Sequence, residues 1–374
     1  MAETVNVKKG LEGVVVDTTS ISKVMPEINS LTYRGYKVQD LAEHCSFEEV
    51  VYLLWHGELP TQTELDNFTT QERNLRAIGD DLNQLIQMTS KDAHPMDVVR
   101  TAVSFIGANA NPEGDGDNLN YATDLLAKLP TIVAADFRRR KGEAVIAPDP
   151  KLSLSENFFH MCFGEVPDAE LVKAFDASLI LYAEHSFNAS TFTSRVITST
   201  LADMYSAVTG AIGALKGALH GGANEQVMYL LQEVGGPDAA TEWMHNALAE
   251  KRKVMGFGHR VYKQGDSRVP TMKHYALRIA EKTGNEALMQ TAQALEDVMV
   301  SEKGIYPNLD FPTGPAYYML GFDIPMFTPI FVMARISGWA AHIIEQAANN
   351  RIIRPLSEYV GEGERAVTPL ASRG

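Results

Sequence analysis

The chain has 374 residues, 45% of them apolar and 21% charged, with a formal net charge of -14. That length buries a sizeable core in one large or two moderate domains. The acidic balance argues against general nucleic-acid binding, which draws on cationic surface; Cys45 and Cys162 supply neither a disulfide framework nor zinc spacing, which fits a reducing cytoplasm.

In chain order, Met1 to Gly10 lacks the apolar run of a secretory signal. Gly10 to Thr18 has the best short-strand pattern. From there the chain reads as helix after helix, an all-α pattern. The stretch from Asp40 to Trp55 places Leu41, Val50, Val51, Leu53 and Leu54 at helical spacing, and Gly57 and Pro60 end it. Asn111 to Asn118 is a polar surface loop between two helical stretches. Arg138 to Lys141 reads as a solvated helix end rather than an anion patch. Between Leu201 and Leu219, the small residues Ala207, Gly210, Ala211, Gly213 and Ala214 let helices approach closely. Val227, Leu230, Leu231 and Val234 follow i, i+3, i+4, i+7, so a helix follows His220 directly. Met326 to Ile344 is apolar and about long enough to span a membrane. Pro329, Arg335 and His342 inside it, and the lack of a second candidate, make it a buried core helix. No linker separates independent halves, so two domains would require the chain to cross between them more than once.

The segment from Lys251 to Arg268 is the densest in chemistry. Lys251, Arg252, Lys253, Arg260, Lys263 and Arg268 surround Gly256, Gly258 and His259. The glycines let backbone approach a ligand, the cations suit phosphates or carboxylates, and His259 changes charge near neutral pH. The Gly-Phe-Gly is not a dinucleotide fingerprint: Val261 stands where the third glycine would be, and no strand leads in. Three more clusters stand out. His185 lies in Glu184 to Asn188. His220 precedes Gly221 and Gly222 at a helix start, where backbone N–H groups can face an anion. Asp310 sits on a short turn in Tyr306 to Phe311. Arg335, in an apolar run, needs an anionic partner, either a carboxylate such as Glu345 or a bound substrate. Arg354 follows in Arg351-Ile-Ile-Arg354-Pro355. His342-x-x-Glu345 lacks the second histidine of a metal motif, so no metal site is expected.

Jointly, Leu219-His-Gly-Gly-Ala-Asn224, Gly256-Phe-Gly-His-Arg-Val-Tyr-Lys263 with Arg268, Pro307-Asn-Leu-Asp310, and Ala334-Arg335 with Arg354-Pro355 resemble the citrate synthase family in order and spacing. Leu31-Thr-Tyr-Arg-Gly-Tyr36 and His94-Pro-Met-Asp97 look like family segments too. The resemblance runs from about Gly10 to Tyr359.

It implies an all-helical fold with a large domain (residues 1–219 and 325–374) and a small lid domain (220–324), working as a homodimer. It implies condensation of an acyl-CoA with oxaloacetate, then thioester hydrolysis. CoA is part of a substrate, and no cofactor, nucleic acid or membrane is involved. Carried over residue by residue, Asp310 is the base, His220 the donor to the enol oxygen, and His259 the group polarising the ketone. His185, His259, Arg268 and Arg335 meet oxaloacetate, with Arg354 supplied across the dimer interface. Lys253, Val254, Met255, Gly256, Phe257 and Gly258 wrap the CoA adenine, with Arg260 and Lys263 toward phosphates. Two positions bear on the acyl group. An acetyl-selective branch is expected to have histidine and valine where Tyr182 and Leu309 stand. The stretches Tyr182 to Val196 and Met326 to Val332 look most like the 2-methylcitrate synthase branch, which implies a preference for propionyl-CoA over acetyl-CoA.

Overall fold

The computed structural model describes residues 7–110, 117–262 and 264–373. The expectations for Lys263, for the first six residues and for most of the 111–118 loop lie outside the described residues.

Strands β1 (Ser22–Met25), β2 (Ser30–Tyr33) and β3 (Tyr36–Lys37) form an antiparallel meander, with Ser22 opposite Tyr33 and Thr32 opposite Lys37. The expected strand at 10–18 is absent. A short 3₁₀ turn at Lys9–Leu11 is followed by irregular, exposed chain. Gly10 and Gly13 adopt left-handed φ there, which breaks a ladder before Val14 to Val16 can join one.

The rest of the ordered structure is helical. The first group is α1 (Val38–His44), α2 (Phe47–His56), α3 (Gln62–Leu75), α4 (Asp80–Met88), α5 (Pro95–Asn109) and α6 (Asn118–Lys141). Next come α7 (Leu154–Phe163), α8 (Ala169–Tyr182), α9 (Ala189–Thr198) and α10 (Met204–Leu215). The chain continues with α11 (Ala223–Val234), α12 (Pro237–Ala249), α13 (Val269–Thr283), α14 (Glu286–Lys303), α15 (Asp310–Met319) and α16 (Phe327–Ala348).

The single helix expected from Asp40 to Trp55 is two. Ser46 caps α2: its Oγ accepts the Glu49 N–H at 3.3 Å, and Glu49 Oε2 accepts the Ser46 N–H at 2.7 Å. That reciprocal cap restarts the helix on a new axis. The helix expected after His220 is α11, and the small-residue stretch is α10, which packs on α9 and α5.

Helix α16 is the axis of the molecule. It is long and apolar enough to cross a membrane, yet 94% of its apolar window is buried against α6, α9, α10, α2 and α8. Helices α11 to α15 pack chiefly on one another, α12 on α14 and α15 against both α11 and α13, while α13 also rests on α8. The arginines ending α6 are fixed, not a solvated face. Arg139 and Arg140 both grip buried Asp136, and Arg139 donates to Thr89 O at 2.7 Å.

Candidate active site

Helix α8 stops at Tyr182, and the chain turns through Glu184 to Asn188 before α9. Ser186 takes φ 52°, a left-handed conformation costing a non-glycine residue ~1–3 kcal/mol. Its N–H donates to Ser22 Oγ at 3.0 Å. Buried Glu184 locks the same turn, its Oε1 accepting from Ser22 Oγ and lying against His342 Nε2, both at 2.9 Å. The turn aims His185 inward. Its ring is buried, its Nε2 has no hydrogen-bond partner among the described residues, and it lies 5.0 Å from the His259 ring. Burial first, then Arg268, pushes His185 well below the usual histidine range, so it is neutral.

The Lys251–Arg268 segment is pinned by an antiparallel bridge between Phe257 and Pro307. Gly258 N–H donates to Tyr306 O at 2.8 Å, Asn308 N–H to Gly256 O at 2.9 Å, and Asn308 Nδ2 to Gly258 O at 2.9 Å. A short strand contact therefore does accompany the Gly-Phe-Gly. Asn308 Oδ1 accepts the N–H of Asp310 at 3.1 Å, which carries the register of the glycine loop to the start of α15. His259 Nδ1 accepts the N–H groups of Val261 (3.0 Å) and Tyr262 (3.3 Å), so the ring proton sits on Nε2.

Arg268 is buried and forks onto Asp266, Nε to Oδ1 at 2.9 Å and Nη2 to Oδ2 at 2.7 Å. Burial alone would raise the Asp266 carboxyl, but Arg268 holds it well below the usual carboxylate range. Arg335 is also buried. Burial lowers it to about 10, partly offset by Glu184. Its Nε donates to Tyr182 O at 2.6 Å and its guanidinium stacks 4.7 Å over Phe331. Glu345 is not its partner: that carboxylate takes Arg195 at 2.9 Å. Among the described residues, the outer guanidinium nitrogens of Arg335 have no hydrogen-bond partner.

Asp310 opens α15, beside buried Leu309 and Phe311. Its Oδ1 accepts the Tyr182 hydroxyl at 2.6 Å. Burial pushes the carboxyl up to about 6, against the opposing pull of Tyr182 and Arg268. His220 lies in the turn before α11. Its Nε2 faces Ser190, accepting the Ser190 N–H at 3.3 Å and lying 2.8 Å from Ser190 Oγ, which Trp339 Nε1 fixes at 3.0 Å. The backbone donor makes Nε2 the acceptor and leaves the proton on Nδ1. Burial, then Arg335, lowers His220 to about 4. Phe331 joins these groups, 4.1 Å from the Tyr182 ring and 6.5 Å from the His220 ring, centroid to centroid.

Tyr182, His185, His220, His259, Arg268, Leu309, Asp310 and Arg335 thus converge. Of the segment's other residues, Val254 is buried, Met255, Phe257 and Gly258 half-buried, and Lys253 and Arg260 exposed. Arg252 is committed elsewhere, forked onto Glu233 and stacked on Trp243. Arg354 stands apart: it is exposed in the chain beyond α16, one residue after Ile353, whose N–H docks on Ser199 Oγ at 3.0 Å. The sequence reading missed Asp266 and Ser190. The signal for Asp266 was its place two residues before Arg268, masked by the excess of cations around it.

A carboxylate raised toward neutrality, two imidazoles with fixed tautomers and two buried guanidiniums are the groups an acid–base enzyme needs for a small anionic substrate. A family model described as citrate synthase, C-terminal domain, matches residues 10–356, and the chain belongs to that family. It is 58% identical to a 2-methylcitrate synthase of Mycobacterium tuberculosis, over 97% of this chain and 92% of that one. It is 57% identical to a citrate synthase of Mycolicibacterium smegmatis, over 98% of each. Among solved structures, the ternary complex of carboxymethyl coenzyme A and oxaloacetate with the citrate synthase of Thermoplasma acidophilum matches with a TM-score of 0.93. It is 33% identical, over 99% of this chain and 100% of that one.

Proposed function

We propose that this enzyme condenses propionyl-CoA with oxaloacetate and hydrolyses the thioester, giving 2-methylcitrate and CoA, with weaker activity on acetyl-CoA. The observation that carries the chemistry is Asp310, a carboxylate pushed up to about 6 among His220, His259 and two buried arginines. Asp310 takes a proton from the carbon beside the thioester carbonyl. His220 Nδ1–H donates to the enol oxygen that forms. The enol carbon attacks the ketone carbon of oxaloacetate, while His259 Nε2–H donates to the ketone oxygen. Arg268, Arg335 and His185 hold the carboxylates, and water then cleaves the thioester. General acid–base help contributes about 10²–10⁴-fold, and an aimed donor about 10²–10³-fold, in such reactions.

Backbone from Lys253 to Gly258 wraps the adenine of CoA, and Arg260 and Lys263 are the candidates for contacts to its phosphates. Residues 220–324 form a lid over the larger body made of 1–219 and 325–374, excluding water until the carbon–carbon bond forms. The enzyme is a cytoplasmic homodimer without a cofactor, and Arg354 completes the partner's oxaloacetate site. Sedimentation tests the dimer; a fully active monomer removes Arg354 from that role.

The acyl preference rests on Tyr182 and Leu309 and on the name of the Mycobacterium tuberculosis relative. The Mycolicibacterium smegmatis relative's name favours the alternative, acetyl-CoA giving citrate. One methylene in an apolar pocket discriminates by only about 1–3 kcal/mol, so both activities are expected. Measured kcat/KM for both thioesters decides between them, and a clear acetyl-CoA preference overturns the 2-methylcitrate assignment.

A further inference from the structure

Tyr182 belongs to α8 and Asp310 to α15, elements 128 positions apart in sequence, yet the phenol touches one carboxylate oxygen at 2.6 Å. Tyr182 is itself held at three points. Its ring packs 4.1 Å from Phe331, its carbonyl accepts from Arg335 Nε at 2.6 Å, and its body is buried. A phenol fixed in this way has one direction for its proton. Burial and Asp310 hold its ionisation well above the ordinary tyrosine range, so it donates throughout the working pH range.

We propose that Tyr182 is a positioning residue for the catalytic base: its hydroxyl occupies Oδ1 of Asp310, fixes the carboxylate plane and leaves Oδ2 to receive the substrate proton. The proposal rests on Asp310 being that base. It differs from a role in acyl selection, because a hydroxyl bonded to the carboxylate acts on every substrate alike. A donor to the ionised form stabilises the anion, so Tyr182 opposes the burial that raises Asp310. The tie from Arg335 through the Tyr182 carbonyl also makes the same residue neighbour to the carboxylate-binding arginine.

The test is the pH dependence of kcat/KM for propionyl-CoA at saturating oxaloacetate, in the wild type, Tyr182→Phe and Tyr182→Met, with Asp310→Ala in parallel. Tyr182→Phe deletes one oxygen and keeps the ring on Phe331; Tyr182→Met also lacks the donor and repacks differently. Loss of a hydrogen bond to a charged group moves the acid limb upward by about one pH unit in both variants. Activity therefore falls most at low pH and recovers as pH rises. An unmoved limb with a uniform loss, or a change confined to KM, overturns the proposal while leaving the base in place. Near-normal turnover by Asp310→Ala overturns the base assignment instead.

Discussion

Asp266 and Arg268 lie two residues apart and form a closed fork, Nε to Oδ1 at 2.9 Å and Nη2 to Oδ2 at 2.7 Å. The same Oδ2 accepts the N–H of Leu309 at 3.2 Å, the residue before Asp310. One carboxylate therefore fixes both the arginine proposed to hold oxaloacetate and the backbone that carries the proposed base.

Asp266→Ala leaves Arg268 buried without its counter-ion. Removing one member of such a pair costs about 3–5 kcal/mol. The expected outcome is a large loss of stability to urea, a raised KM for oxaloacetate and a lowered kcat, since Leu309 loses its anchor too. Asp266→Asn keeps the shape and loses the charge, and is expected to fall between. Urea titrations and steady-state kinetics check both variants; an Asp266→Ala enzyme with wild-type stability contradicts the pairing.

His220 gives the protein a defined acid sensitivity. Folded, it stays neutral down to about 4; unfolded, it regains the ordinary 6.5. Between these values the unfolded chain binds more protons, so the stability contributed above pH 6.5 is lost as pH falls toward 4. By about pH 5 the loss from this group is ~2 kcal/mol. Buried His185, also lowered, acts in the same direction. His220→Gln removes the titrating group, so the difference in unfolding free energy between about pH 7.5 and about pH 5 should narrow by that amount. An unchanged difference contradicts the neutral state of half-buried His220.

The helical architecture was legible because apolar spacing survives burial: α11 and α16 stand where their patterns place them. What failed was local. Val14 to Val16 has strand composition, yet a strand needs a partner, and left-handed Gly10 and Gly13 deny it one. The break between α1 and α2 was written in Ser46 and Glu49, but an apolar count spanning Asp40 to Trp55 does not register a cap. That His185, His220, His259, Arg268, Asp310 and Arg335 would lie together was legible through resemblance rather than chemistry, because each alone looks ordinary. Pairings within the site were not legible. Glu345 sits ten residues from Arg335, yet Arg195 takes it, a choice that depends on how α9 crosses α16.

Gly256 and Gly258 differ in what surrounds them. Both have positive φ, 87° and 79°. A Cβ on Gly256 would stand 2.5 Å from Val227 Cγ2 and 2.8 Å from Phe311 Cδ2, whereas one on Gly258 meets only Ile305 Cγ2 at 3.6 Å. Alanine at either position bears the left-handed penalty of about 1–2 kcal/mol. At Gly256 overpacking adds ~1–3 kcal/mol and pushes on Phe311, next to Asp310. Gly256→Ala should therefore lose more stability and far more kcat than Gly258→Ala. Thermal unfolding and turnover of the two purified variants check the order, and equal effects contradict the packing.

Glu225 ties the helix that follows His220 to the rest of the molecule. His94 Nδ1 accepts the Met96 N–H at 3.2 Å, so its Nε2 carries the proton that reaches Glu225 Oε2 at 3.2 Å. Thr328 Oγ1 donates to Glu225 Oε1. One carboxylate in the first turn of α11 thereby joins the starts of α5 and α16, five residues after the proposed enol donor. Glu225→Ala leaves the buried Thr328 hydroxyl only its long contact to Gly221 O at 3.5 Å, at a cost of up to about 1–3 kcal/mol, and loosens the turn that carries His220. Glu225→Gln keeps an acceptor for Thr328 and should lose less. The expected pattern for Glu225→Ala is lowered stability and lowered kcat with oxaloacetate affinity retained, because Arg268 and Arg335 are untouched. Calorimetry of oxaloacetate binding beside turnover measurements separates these effects. Loss of oxaloacetate affinity without loss of kcat contradicts a link from Glu225 to the enol donor.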